Sequence, residues 1–153
     1  MIELRIDDED WSHTLPAPEA LARRCYEAAV KLEPDLEGEI ALMLTGDSEM
    51  QALNKRFCSK DMSTNVLSFP SGEENDFLGD IALARETCVR EAALKEISIS
   101  DHAAHLIVHG MLHLIGYDHQ IEGDAEAMER REAEILARLG IKDPYADELE
   151  TIR

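Results

Sequence analysis

The sequence predicts an α+β domain, a small mixed β-sheet of about four strands packed with about five helices. Three observations lead there. Short segments near residues 2–6 and 39–45 alternate apolar and polar side chains, the period of a half-buried strand. Longer segments repeat apolar residues three and four apart, the period of a helix with one buried face. One of these helical segments, residues 102–115, is apolar nearly all round, which marks a buried central helix. The chain of 153 residues fits one compact domain. A domain of that size buries roughly 68–70% of its unfolded surface and needs no disulfides to hold a core. Residues 1–153 are therefore read as a single domain.

The elements follow in order. Ile2, Leu4 and Ile6 form the inward face of a first strand. Pro16 and Pro18 introduce a helix whose face is Leu21, Ala22, Cys25, Ala28, Ala29 and Leu32, and Pro34 ends it. Ile40, Leu42 and Leu44 share one side of a second strand over residues 39–45. Asp47 or Ser48 caps a short helix that turns Met50, Leu53 and Phe57 inward. Residues 66–69 are a strand closed by Pro70, residues 71–76 a polar loop, and residues 78–84 a further strand. A helix through Val89, Ala92 and Ala93 comes next, then one capped by Ser100 and running to about Ile115. A last helix over 123–139 places Met128, Ile135, Leu136 and Leu139 on one face, with Gly140 as its C-terminal cap and Arg130 and Arg131 in solvent.

Composition narrows the function. With 44% hydrophobic and 31% charged residues this is an ordinary globular chain. Cys25, Cys58 and Cys88 are widely spaced and odd in number, so they predict neither a disulfide framework nor a cysteine zinc knuckle. Free thiols, no basic leader and no apolar run long enough for a bilayer predict a cytoplasmic protein without a membrane partner. A net charge of −18 argues against broad binding to nucleic acid, and no DNA partner is expected. Residues 51–70 run against that balance, with Lys55, Arg56 and Lys60 facing Asp61 alone. This is either a phosphate-gripping spot or an ordinary solvated helix end.

The central helix carries the chemistry. His102, His105, His109 and His113 lie on it. Residues four apart differ by about 40° in direction and about 6 Å in height, so His109 and His113 can point at one ion. Gly116 permits the left-handed turn that brings the chain back, and His119 then supplies a third nitrogen. His102 and His105, taken singly, are better read as hydrogen-bonded core residues. Three imidazoles suit zinc, and also nickel, copper or iron. They leave a fourth position for water, the catalytic arrangement, and a metal lowers the pKa of that water to about 7. The spacing is that of the metzincin pattern His-Glu-x-x-His-x-x-Gly-x-x-His, but Gly110 stands where those peptidases carry their glutamate base. Peptide hydrolysis thus loses its main proton acceptor, whereas phosphodiester cleavage depends at least as much on charge stabilisation.

The string His109-Gly-x-Leu-His113-Leu-x-Gly116-Tyr117-Asp118-His119 resembles the signature of the YbeY family of bacterial endoribonucleases. So do Leu53-Asn54-x-Arg56, the run Ser63-Thr64-Asn65-Val66-Leu67-Ser68-Phe69-Pro70, Leu78-Gly79-Asp80-Ile81 and Asp143-Pro144-Tyr145. The resemblance implies a metal-dependent, single-strand-specific endoribonuclease. Its expected roles are ribosomal RNA maturation at the small-subunit 3′ end and ribosome quality control. It further implies one Zn2+ held by His109, His113 and His119, and catalytic roles for His113 and for Arg56, the latter on RNA phosphate. Expected partners are single-stranded ribosomal RNA and the small subunit or its associated proteins. Asn65 and Ser63 replace the aspartate and proline frequent in the family's strand motif.

Two other functions fit parts of the sequence. The metzincin-like spacing allows a metal-dependent hydrolase of another bond. The acidic surface allows a ribosome-associated factor whose metal is structural. Three side chains carry paired readings: Asp80 orients a histidine or caps amides, Ser68 lines the cleft or packs on the sheet, and Asp118 fixes the turn or a ligand or else acts as a base.

Overall fold

A computed structural model describes residues 1–72, 76–118, 121 and 123–146. Four strands, β1 (Ile2–Ile6), β2 (Glu39–Thr45), β3 (Val66–Pro70) and β4 (Phe77–Ala84), form one sheet in the order β1-β2-β4-β3. β1 and β4 run parallel to β2, and β3 pairs antiparallel with β4 through Ser68 opposite Ile81 and Phe69 opposite Asp80. The helices are α1 (Trp11–Thr14), α2 (Pro18–Leu32), α3 (Asp47–Cys58), α4 (Arg85–Lys95), α5 (Ile99–Leu114) and α6 (Asp124–Arg138). The α+β class and the mixed four-stranded sheet are as the sequence predicts. Among the described residues there are six α-helices rather than about five. The extra one, α1, is a single turn that buries Trp11, whose indole N–H donates to the carbonyl of Thr45 at 2.8 Å.

Alternation along the strands divides the core. Ile40, Leu42, Leu44, Ile81 and Leu83 face α2, α5 and α6. Ala82 and Ala84, with Leu67, face Met50 and Leu53 of α3 on the other side of the sheet. α5 is buried from His102 to Val108 and again at Gly110, Met111, Leu112 and Leu114, as expected of a central helix.

Five local expectations change. Gly46, not Asp47 or Ser48, stands at the N-cap of α3 and gives no side-chain cap, while Asp47 Oδ1 accepts the N–H and hydroxyl of Thr87. Ser98, not Ser100, caps α5, accepting the backbone N–H of Asp101 at 3.1 Å. Phe57 does not turn inward. It is 59% exposed at the last turn of α3, where the ring meets Phe69 edge-on with centroids 5.4 Å apart and carries the Arg56 guanidinium over its face. Val89 and Ala93 are exposed, and α4 packs through Cys88 and Ala92 instead. Arg131 is not a solvated residue: its Nε lies 3.2 Å from Glu33 Oε2, and Tyr117 Oη donates to the same carboxylate oxygen at 3.1 Å. This junction ties α6 and the turn after α5 to the end of α2.

The Asn65 substitution acquires a reason here. Its Nδ2 donates to Glu91 at 3.0 Å, and Glu91 in turn faces His102 Nε2 at 2.9 Å. An aspartate at position 65 would set two carboxylates together. Burial lowers the pKa of His102 despite the hydrogen bond to Glu91. The folded state therefore resists protonating this ring, while the unfolded chain takes up the proton near pH 6.5. Stability is fully present above that pH and falls as pH drops through and below it. Thermal unfolding of the wild type between pH 7.5 and 5 should show this decline, and His102→Gln should flatten it. Equal slopes in both proteins would exclude His102 as the source.

Candidate active site

The helical period sets the first geometry of the site. His109 and His113, one turn apart on α5, bring their Nε2 atoms to 3.1 Å from each other. Two nitrogens on a tetrahedral zinc at about 2.05 Å lie roughly 3.3 Å apart, so the pair is spaced to share one ion. The helix then ends as the glycine demands. Gly116 has φ +104, the N–H of Tyr117 returns to the carbonyl of Leu112 at 3.1 Å, and that of Gly116 to His113 at 3.1 Å. His119, the expected third ligand, lies outside the described residues. Among those residues no third histidine, cysteine or carboxylate completes a metal-holding group with His109 and His113.

The second geometry comes from α6. Glu132 is 0% exposed and presents Oε1 to Nδ1 of His109 in a close hydrogen bond. Its Oε2 accepts the hydroxyl of Tyr145 in a second close bond and lies 3.5 Å from His105 Nε2. A buried carboxylate with no partners costs several kcal/mol, so this charge survives only because both oxygens are engaged. Burial pushes its pKa up, but hydrogen bonds from His105 and His109 outweigh burial and hold it at about 2. A carboxylate on Nδ1 of a ligating imidazole fixes the Nδ1–H tautomer and directs the Nε2 lone pair outward, which is the usual support of a histidine metal ligand. The donor set thus fits a divalent metal of the zinc kind at His109 and His113.

Glu132 went unnoticed in the sequence among the many acids of α6. A signal was present: it stands four residues after Met128 and four before Leu136, inside the apolar stripe rather than beside it. Tyr145 stood out only as part of the Asp143-Pro144-Tyr145 motif, and nothing local ties it to a helix 40 residues upstream.

The remaining candidates sort by face. Ser68 Oγ donates to the carbonyl of Gly110 at 3.2 Å, so it fastens β3 to the histidine helix. Asp80 neighbours Ile81, which packs under Gly110, and so points from the opposite face; it does not orient a described histidine. Arg56 is exposed at the end of α3, with its guanidinium 5.2 Å from the centre of the Phe57 ring. Phe57 meets Phe69 of edge strand β3, so Arg56 belongs to the α3 side of that edge, whereas His109 and His113 belong to the α5 side.

Gly110 has a packing reason. A Cβ there would come within 2.8 Å of Ile81 Cγ2 and 3.1 Å of Ser68 Oγ. The helix lies so close to the sheet that the metzincin glutamate has no room at this position.

Fold and site together define a class: an α+β enzyme whose central buried helix presents a pair of imidazoles backed by a buried carboxylate. The profile described as Endoribonuclease YbeY matches residues 5–140, and the chain belongs to that family. Similar proteins include the endoribonuclease YbeY of Maricaulis maris, 46% identical and covering 96% of this chain and 92% of its own. That of Novosphingobium aromaticivorans is 48% identical, over 85% of this chain and 87% of its own. The solution structure of TM1509 from Thermotoga maritima is 25% identical with a TM-score of 0.60, covering 91% of each chain. Among the described residues no helix is long and apolar enough to cross a membrane.

Proposed function

We propose that this protein is a metal-dependent, single-strand-specific endoribonuclease that acts in ribosomal RNA maturation, at the small-subunit 3′ end, and in ribosome quality control in the cytoplasm. One zinc is held by His109, His113 and His119. Family membership supports the RNA substrate. The observation that carries the metal reading is the convergence of the His109 and His113 Nε2 atoms with Glu132 on the far nitrogen of His109. When bound, the metal would supply charge stabilisation for the scissile phosphodiester and acidify a water near neutral pH. The packing of Gly110 against Ile81 weighs against a peptidase, because it excludes the usual base.

Arg56 is proposed as a phosphate contact, with Lys55 and Lys60 beside it, at the edge of β3. The RNA strand would pass over this edge between the basic α3 end and the histidines. Arg56→Ala should weaken binding of single-stranded RNA across sequences and lower the salt slope of log K by about one. An unchanged slope would remove Arg56 from the RNA track. The overall reading is tested by metal analysis of the purified protein together with cleavage of single-stranded rRNA fragments before and after chelation. Cleavage that persists in verified metal-free protein overturns the metal's part, and no cleavage by metal-loaded protein overturns the nuclease.

A further inference from the structure

We propose that Tyr145 is a positioning residue that acts on His109 through Glu132, holding the carboxylate away from the competing His105 and making the turn at residues 143–145 a clasp on the proposed metal site. This rests on the metal reading above and extends it to residues that reading does not use.

The argument begins with the two oxygens of Glu132. Oε1 faces His109 Nδ1, and Oε2 accepts from the Tyr145 hydroxyl. His105 Nε2 stands 3.5 Å from Oε2 and 3.2 Å from Tyr145 Oη. His105 and His109 occupy successive turns of α5, so one carboxylate has two imidazoles within reach. What decides which of them receives the close bond is the group that occupies the other oxygen. The Tyr145 hydroxyl holds Oε2 and thereby leaves Oε1 aimed at His109.

Tyr145 is itself placed by its turn. Its backbone N–H donates to Asp143 Oδ1 at 2.9 Å, an Asx turn around Pro144, whose ring fixes φ. The Tyr145 ring meets His105 edge-on, with centroids 5.6 Å apart and planes at 89°. The segment after α6 thus reaches back across the helix pair and orders three side chains in sequence: Tyr145, Glu132, His109. Without the hydroxyl, the carboxylate can turn toward His105 and release the Nδ1–H of His109. The ring is then able to hold its proton on Nε2, the nitrogen that faces His113.

Tyr145→Phe removes one oxygen atom and keeps the ring contact. Glu132→Gln keeps the shape but replaces one acceptor by a donor. The test measures the zinc dissociation constant of the full chain by chelator competition, and the tautomer of His109 by 15N NMR of metal-free protein. Loss of a group supporting a metal-binding histidine weakens the metal by about 10–100-fold. Both variants are expected in that range, with an increased Nε2–H fraction at His109 and unchanged far-UV dichroism. Wild-type zinc affinity together with an unchanged tautomer in Tyr145→Phe would overturn the clasp while leaving the metal reading in place. If the wild-type chain binds no zinc, the metal reading fails. The clasp is then judged by the tautomer alone: an Nδ1–H on His109 that shifts in Tyr145→Phe supports it, and no shift overturns it. Should Glu132→Gln fail to fold, Tyr145→Phe gives the result by itself.

Discussion

His113→Ala removes at least about a thousandfold of the RNA-cleaving activity, equivalent to roughly 4 kcal/mol of transition-state stabilisation. The loss is this large because the substitution takes away one of two converging nitrogens and with it the proposed metal. His109, however well held by Glu132, and the proposed ligand His119 cannot by themselves hold the ion in its reactive place. The protein should still fold. His113 is only partly buried, and its ring meets His109 edge-on. The measurement is single-turnover cleavage of a single-stranded rRNA fragment, with zinc content and thermal unfolding recorded on the same preparation. Activity equal to wild type would mean that the observed nuclease is a contaminant or that the histidine pair is not its centre. Loss of activity with unchanged zinc would place His113 in the chemistry but outside the metal site.

Gly110→Ala lowers stability by up to about 2 kcal/mol, and the sign is what makes the experiment informative. Helix propensity alone favours alanine over glycine by about 1 kcal/mol in a helix interior. Packing opposes it, because the new Cβ must sit within 2.8 Å of Ile81 Cγ2, an atom close to the β4 backbone that cannot swing aside. Overpacking of this kind typically costs about 1–3 kcal/mol even after relaxation. At about 2–4 °C per kcal/mol for a chain of this size, the midpoint should fall by several degrees. A melting temperature equal to or above wild type would show that α5 can lift off the sheet at little cost. Gly110→Glu, which restores the metzincin pattern, should be more destabilised still and gain no activity on peptides.

The local chemistry of the site was legible because it is local. The i, i+4 pair His109 and His113 and the terminating Gly116 follow from the helical period and from the positive φ that glycine tolerates, and they appear where the spacing puts them. His102 and His105 also behave as read, each hydrogen-bonded within the core, to Glu91 and to Tyr145. Phe57 and Arg131 were misjudged for one shared reason. Their surroundings are set by where an element ends relative to its neighbours, and periodicity says nothing about that. Phe57 stands at the last turn of α3, where its ring stays exposed beside Phe69. Arg131 meets Glu33, almost a hundred residues earlier in the chain.

The sequence by itself determined the class of fold, the order of the strands and of every helix but α1, the buried histidine helix and the spacing of its imidazoles, because each depends on periodicities of a few residues. Only the tertiary structure decided which carboxylate supports His109, why Gly110 must be glycine, and that Arg56 and the histidines lie on opposite sides of strand β3. Those facts depend on the distance between α5 and the sheet and on the approach of α6 and residues 143–145. Such distances come from the packing of segments remote in the chain, and no local pattern encodes them.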